Sequence, residues 1–255
     1  MVRGMNKFRT FFAEFTNNYV IIGGTACDFY EEQYGQEPRA TKDIDIILVV
    51  EALSTDFVSR FWEFVKAGGY ISRQKGEGKH EYYRFLQPEE HDFPYQVELF
   101  SRNLGLLDFP DDAHLTPIPM EDDLSSLSAI LMDDDYYNFT IEHSLVEDGI
   151  HFAGIESLIC LKARAFREMT ERKLKDGTGD SKHIAKHKKD VFRLIAMLAA
   201  EDHFEVPESL KDDLRVFCEL SVEELPTADF FKSIGLTRAK GENFLLQLKQ
   251  SFILE

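Results

Sequence analysis

The sequence is short of three things: cysteine, basic charge and long apolar runs. Its three cysteines, Cys27, Cys160 and Cys218, are odd in number and far apart. That pattern gives no metal-ligand spacing and no disulfide framework, so reduced thiols in a cytoplasmic protein are expected. Lys and Arg total 29 against 46 Asp and Glu, a formal net charge of −17. A chain so acidic is not drawn wholesale to nucleic acid or to an anionic membrane, although a local basic site stays compatible with it. No run approaches the ~18 apolar residues of a membrane span, so no membrane partner is expected. Met1 to Thr10 holds three basic residues, but the apolar stretch after it is broken by Glu14 and by Thr16-Asn17-Asn18. It is too short and too polar for the core of a signal peptide. Internal repeats and low-complexity tracts are absent.

What the chain does have is core-forming material. Hydrophobic residues make up 44% of 255 residues and include 22 Phe, enough for one large core or two. The first half reads as alternating strands and helices. Tyr19 to Ile22 is a short buried strand closed by Gly23-Gly24, and a helix follows from Thr25 to about Gln33. Arg39 to Lys42 is a polar turn before a second strand, Asp43 to Val50. Ser54 is suited to cap a helix to about Ala67, with Phe57, Phe61, Phe64 and Val65 at helical spacing; Gly68-Gly69 ends it. Strands are expected at His80–Leu86, Pro94–Phe100, Ser128–Met132, Tyr136–His143 and Ile150–Phe152. The acidic residues between them (Asp108, Asp111, Asp112, Glu121, Asp122, Asp123 and Asp133-Asp134-Asp135) read as solvated turns. After Gly154 the pattern turns helical: Glu156–Leu174, a glycine-containing loop over Lys175–Ser181, His183–Ala200, and a helix opening at Pro207. The expected architecture is α+β, with a mixed sheet and flanking helices in residues 1–154 and an α-helical part in residues 155–255.

Two places carry chemistry. In the strand Asp43-Ile44-Asp45-Ile46-Ile47-Leu48-Val49-Val50, Asp45 is the one polar residue from Ile44 onward. So apolar a run is a central strand, covered on both faces, and a carboxylate there needs a partner or a cation. Strand periodicity puts Asp43 and Asp45 on one face, where two hard oxygen donors suit Mg²⁺. By itself the pair equally fits strand-edge aspartates capping a turn. Gly23-Gly24-Thr25 adds a strand-to-helix turn where backbone can approach a phosphate and N–H groups face an anion.

In this order the two motifs resemble the nucleotidyltransferase superfamily, whose pattern is a Gly-Gly or Gly-Ser turn followed by an Asp-x-Asp strand. The wording Arg39-Ala40-Thr41-Lys42-Asp43-Ile44-Asp45 is similar to the AbiEii/AbiGii toxin-like (MenA-like) branch, many of whose members are toxins of toxin–antitoxin systems. The resemblance implies a nucleotidyltransferase-like fold and Mg²⁺-dependent transfer of a nucleotidyl group from a nucleoside triphosphate. It implies Asp43 and Asp45 as catalytic metal ligands, with Gly23, Gly24, Thr25 and Arg39 binding nucleotide. It also implies Lys162, in Leu161-Lys162-Ala163-Arg164, at the nucleotide phosphates, and Asp190, in Lys189-Asp190-Val191-Phe192-Arg193-Leu194, completing the site from the helical half. The implied acceptor is RNA, tRNA in particular, with an antitoxin protein as partner. A small hydroxylated acceptor, or a nucleotide-binding module without turnover, is the alternative. Glu98, in Gln96-Val97-Glu98-Leu99-Phe100, is the candidate third metal ligand; a solvent-facing strand glutamate looks the same in sequence. Residues 160–193 hold 11 Lys or Arg against 5 Asp or Glu, a local cationic zone that fits either a polyanion site or a solvated helix face. His183 and His187, four apart among lysines, read as surface rather than as a metal pair.

Overall fold

In the computed structural model the described residues are 2–39, 41–74, 82–100, 130, 133–177 and 180–254. The expected strand at Ser128–Met132, apart from Ile130, and the acidic residues from Asp108 to Asp123 lie outside them. The described residues belong to two compact units. The first draws on Met1–Phe29, Arg39–Met120 and Ser144–Ala153, the second on Tyr30–Pro38, Glu121–His143 and Gly154–Glu255.

The first unit is a mixed sheet with helices. Its strands are β1 (Tyr19–Ile22), β2 (Asp43–Leu48), β3 (Ile71–Gln74), β4 (Tyr82–Leu86), β5 (Gln96–Phe100), β6 (Ser144–Glu147) and β7 (Ile150–Ala153). They lie in the order β3-β4-β5-β2-β1-β7-β6. β2 is central, antiparallel to β1 and parallel to β5, which is why it reads as nearly continuous hydrophobicity. The helices are α1 (Met5–Phe11), α2 (Gly23–Gln33), whose last turn falls in the second unit, and α3 (Thr55–Gly68).

Helix α3 begins and ends as its residues dictate. Ser54 caps it, its hydroxyl accepting the Phe57 N–H at 3.2 Å, and Gly69 stops it in the left-handed region at φ 61°. Phe57, Phe61, Phe64 and Val65 are buried on one stripe. They join Phe8, Phe12, Phe85 and Phe93 in an aromatic core, with ring centroids 5.3 Å apart for Phe12–Phe64 and Phe61–Phe85 and 5.0 Å for Phe64–Phe93. Each such pair contributes about 1 kcal/mol beyond area burial. Phe85, on β4, faces this core, so its neighbour Arg84 faces the other side of the sheet.

The hairpin β6–β7 is joined by Asp148-Gly149, both at positive φ, 51° and 72°. This is the two-residue Asp-Gly turn that matches strand twist.

The second unit is helical: α4 (Asp134–Glu142), α5 (Ile155–Asp176), α6 (Ser181–Ile195), α7 (Glu208–Val222), α8 (Ala228–Ser233) and α9 (Gly241–Ser251). Helix α4 corrects the expectation of a strand at Tyr136–His143. The Asp133 side chain accepts the Asp135 N–H at 3.0 Å, and Asp134 and Asp135 fill the first turn, where negative charge favours a helix. Asp133-Asp134-Asp135 is thus a helix start rather than a loose turn. Tyr136, Phe139 and Thr140 then bury at helical spacing. At the heart of this unit Asp213, 1% exposed, accepts a 2.6 Å hydrogen bond from the Tyr136 hydroxyl and pairs with Arg164 at 3.0 Å and with Arg167. Among the described residues no helix is long and apolar enough to cross a membrane.

Candidate active site

The candidate site in the first unit is assembled where β1 hands over to α2, directly beside β2. Register fixes it: Ile22, the last residue of β1, lies opposite Asp45. Gly23 follows at φ 68°, a conformation glycine adopts without penalty. A Cβ placed on Gly23 comes within 1.8 Å of the Asp45 Oδ2, so the Asp45 carboxylate occupies the space that a side chain would fill. Gly24 is similarly tight, its virtual Cβ lying 2.8 Å from the Thr41 Oγ1. The two glycines therefore bring the start of α2 against Asp45 and against the turn that carries Arg39 and Lys42. That turn is held by Asp28 of α2, whose Oδ2 accepts the Thr41 N–H at 3.2 Å.

Thr25, expected at the nucleotide, makes a hydrogen bond within the fold. It is 2% exposed, and its hydroxyl donates to the Asp43 main-chain oxygen at 2.5 Å. The hydroxyl ties α2 to β2 at the point where β2 presents its first aspartate.

Asp43 and Asp45 are half-buried and alternate with buried Ile44 and Ile46, so both carboxylates look out from the same face. Glu98 is opposite Asp45 on β5, and Arg84 is opposite Glu98 on β4. The result is a cross-strand row, Asp45–Glu98–Arg84, on the face away from the phenylalanine core. Within it, the Arg84 Nε lies 2.7 Å from the Glu98 Oε1, and the Gln96 side chain donates to the same oxygen at 2.6 Å. Glu98 and Arg84 are 2% and 6% exposed. Burial first, and then the charge of Asp45, push the Glu98 carboxyl well above the usual carboxylate range, while Arg84 acts in the opposite direction.

Which of these oxygens suit a divalent cation follows from donor type and access. Mg²⁺ takes one or two carboxylates and completes its shell with water and substrate phosphate. Asp43 and Asp45 fit that description: hard donors on one face, reachable, beside a helix start pared down to glycine. Among the described residues no group of three or more His, Cys, Asp or Glu side chains is arranged to hold a metal ion. His183, at 3.9 Å from Asp180, is an exposed residue of α6.

Lys162 and Asp190 belong to the second unit. They face one another across α5 and α6, with the Lys162 Nζ 3.5 Å from the Asp190 Oδ2, and their side chains are 9% and 0% exposed. Lys162 is therefore a buried, paired lysine rather than a helix-flank residue. Arg84 was missed by reading the sequence. Its signal is the same as that of Glu98, a single charge inside an apolar strand, but only register reveals that the two meet.

No protein-family model matches the chain, and no curated protein matches it. Among solved structures, an antigenic nucleotidyltransferase-like protein from Paracoccidioides brasiliensis is similar over 91% of this chain and 93% of that one, at 12% identity and a TM-score of 0.42. The Megavirus polyadenylate synthase is similar over 87% of this chain at 14% identity and a TM-score of 0.40, and the match spans 36% of that protein's length. With TM-scores this low, the functional reading rests on the residues of the site.

Proposed function

We propose that this protein is a Mg²⁺-dependent nucleotidyltransferase that moves a nucleotidyl group from a nucleoside triphosphate to an acceptor. The observation that carries the reading is the seating of Asp45 in the space left by Gly23, with Asp43 one pleat away on the same face. A carboxylate pair abutting a glycine-lined helix start serves the two needs of triphosphate chemistry, cation binding and close backbone approach to phosphate.

Asp43 and Asp45 would hold the cation. Bound Mg²⁺ supplies charge neutralisation on the triphosphate and favours an acceptor oxygen in its nucleophilic form. Gly23 and Gly24 let the backbone N–H groups at the start of α2 approach the phosphates. Thr25 holds Asp43 in register. Lys162, with Asp190 as its partner, and Arg39 are assigned to the phosphates and the leaving group by resemblance. Lys162→Met and Arg39→Met should each raise KM for the triphosphate. RNA, tRNA in particular, is the acceptor of this reading, supported by the basic excess over residues 160–193, and an antitoxin protein is the partner that the toxin-like resemblance suggests.

The test is to incubate the full chain with Mg²⁺, each labelled nucleoside triphosphate and total tRNA, and to look for labelled RNA. Asp45→Asn should lower transfer by at least about 100-fold, the scale seen when one preorganised electrostatic contact is lost. A folded Asp45→Asn protein that labels its acceptor at the wild-type rate rules the mechanism out.

A further inference from the structure

The basic excess of residues 160–193 is distributed unevenly. On α5, Arg164 pairs with Glu168 and Arg167 with Glu171, each at 2.7 Å, and Lys162 lies 3.5 Å from Asp190. Arg215 on α7 and Lys232 on α8 pair with Asp212 and Asp229 of their own helices. Helix α6 departs from this pattern. Lys182, Lys186, Lys189 and Arg193 recur every three or four residues and so share one face. Arg193 pairs with Glu31 at 3.2 Å. Lys182, Lys186 and Lys189 are exposed and, among the described residues, form no ion pair. Asp190, the one carboxylate of α6, is buried at Lys162, so the helix places no acid among the lysines. Like charges at this spacing repel and destabilise a helix; a merely solvated face in a chain with 46 Asp and Glu would ordinarily mix the signs. The inner face of α6 is committed, with Val191, Phe192, Leu194 and Ile195 buried, so it is not available to enter a lipid surface. The row Lys182 to Lys189 runs about 10 Å along the helix axis at ~1.5 Å per residue, against one phosphate per ~3.4 Å of a duplexed strand.

We propose that the exposed face of α6 is a docking surface for the phosphate backbone of RNA, held by Lys182, Lys186 and Lys189 through charge and without reading the bases. It rests on the reading that the acceptor is RNA, and it places that acceptor on side chains that the transfer chemistry does not use. The net charge of −17 does not oppose it at close range, because salt screens exposed charges beyond about 8–10 Å. Lysine suits the task as a flexible point charge that follows a backbone without demanding one geometry.

The experiment is binding of total tRNA to the full chain without nucleotide, measured by filter retention from about 50 to 200 mM KCl, where phosphate contacts weaken steeply. Each such contact contributes about 0.7–0.9 to the slope of log K against log salt. Lys182→Gln/Lys186→Gln/Lys189→Gln should therefore flatten the slope by about 2–3 and weaken binding tenfold or more at the low-salt end. Lys232→Gln/Lys240→Gln/Lys249→Gln removes the same charge from three exposed lysines of the same unit and should leave slope and affinity unchanged. Removing like-charge repulsion should keep the Tm of the α6 variant at or above that of wild type, and its Mn²⁺ affinity, set by Asp43 and Asp45, should not change. Equal slopes for wild type and the α6 variant, equal losses in the two triple variants, or no tRNA binding by wild type at the lowest salt (including the case in which anionic vesicles bind instead) overturn the inference. If RNA is labelled at the wild-type rate while the slopes are equal, the inference alone fails. If the slope shifts as expected but no triphosphate is transferred, the docking surface stands and the nucleotidyltransferase reading fails.

Discussion

Replacing Gly23 with alanine separates the geometry of the site from ordinary backbone strain. Two effects act at Gly23: its φ of 68° and a virtual Cβ 1.8 Å from the Asp45 Oδ2. Gly35 shares the first without the second, since its φ is 69° and nothing lies within 4 Å of its virtual Cβ. Gly35→Ala therefore reports left-handed strain alone, about 1–2 kcal/mol, or roughly 3–6 °C in Tm for a chain of this size. Gly23→Ala carries that strain and also the clash. Non-bonded contacts settle near ~3.5 Å, so the Asp45 carboxylate, 1.8 Å away, must retreat by about 1.7 Å. Functional groups tolerate displacements of about 0.5 Å. Gly23→Ala should therefore lower Tm by more than Gly35→Ala and abolish Mn²⁺ binding and nucleotidyl transfer, whereas Gly35→Ala leaves both intact. In the background of Asp45→Ala the carboxylate clash is gone and the residue-45 Cβ, 3.1 Å from the virtual Cβ, is the close contact left, so most of the extra destabilisation by Gly23→Ala should disappear. Thermal unfolding, Mn²⁺ calorimetry and labelled-triphosphate transfer on the four proteins decide it. Equal losses of stability from both alanines in the wild-type background, with cation binding retained in Gly23→Ala, would refute the placement of Asp45 against Gly23.

Three further outcomes follow from single side chains. Thr25→Val removes the hydrogen bond to the Asp43 carbonyl and should cost about 1 kcal/mol in urea unfolding, whereas Thr25→Ser should restore both stability and Mn²⁺ affinity. Asp213→Asn removes the buried carboxylate shared by Arg164 and Arg167, which keep Glu168 and Glu171 as partners, and should cost about 1.5–3 kcal/mol, the range for a hydrogen bond to a charged group; Asp212→Asn, at an exposed pair with Arg215, should leave the urea midpoint nearly unchanged. His151 donates from Nδ1 to the Thr16 carbonyl, and its Nε2 lies within hydrogen-bond distance of the Ser144 hydroxyl, each at 2.8 Å, in a half-buried position. Desolvation lowers its pKa, with the Thr16 bond opposing. The unfolded chain then takes up the proton first. The contribution of His151 is complete above the unfolded value of ~6.5 and is lost as pH falls from there toward the depressed folded value. Tm measured from pH 7.5 to 5.5 should fall more steeply for wild type than for His151→Gln.

Much of the first unit was legible because local chemistry and tertiary need agree there. Tyr19–Ile22, the Gly23-Gly24 turn and the apolar run from Ile44 read as strand, turn and central strand, and the structure places them as neighbours. Ser54 and Gly69 bracket α3 by capping rules that act within four residues. Tyr136–His143 misled because aromatic and β-branched residues favour strands, while the deciding signal lay just outside the segment, in the Asp133 cap. The hairpin at Asp148-Gly149 was available from its dipeptide alone. The exposure of Leu145 and Val146 on β6 removes the alternation that would have marked that strand.

The harder loss concerns the site. A lone charge in an apolar strand says that a compensating group exists, and nothing in the strand says which. Glu98 between Val97 and Leu99 is satisfied equally well by a cation, a solvent-facing position or an arginine elsewhere. The choice is made by register, which pairs Glu98 with Asp45 on one side and with Arg84 on the other, and register is set by the whole sheet rather than by the segment. Arg84 and Glu98 pose the same riddle in two strands of the sequence, and each is the answer to the other. Reading single buried charges as a set, and asking which pairs a plausible strand order brings opposite, recovers the partner that a motif leaves out. Applied here, it sets the half-buried Asp43 and Asp45 beside a sealed Glu98 that lies between Asp45 and Arg84.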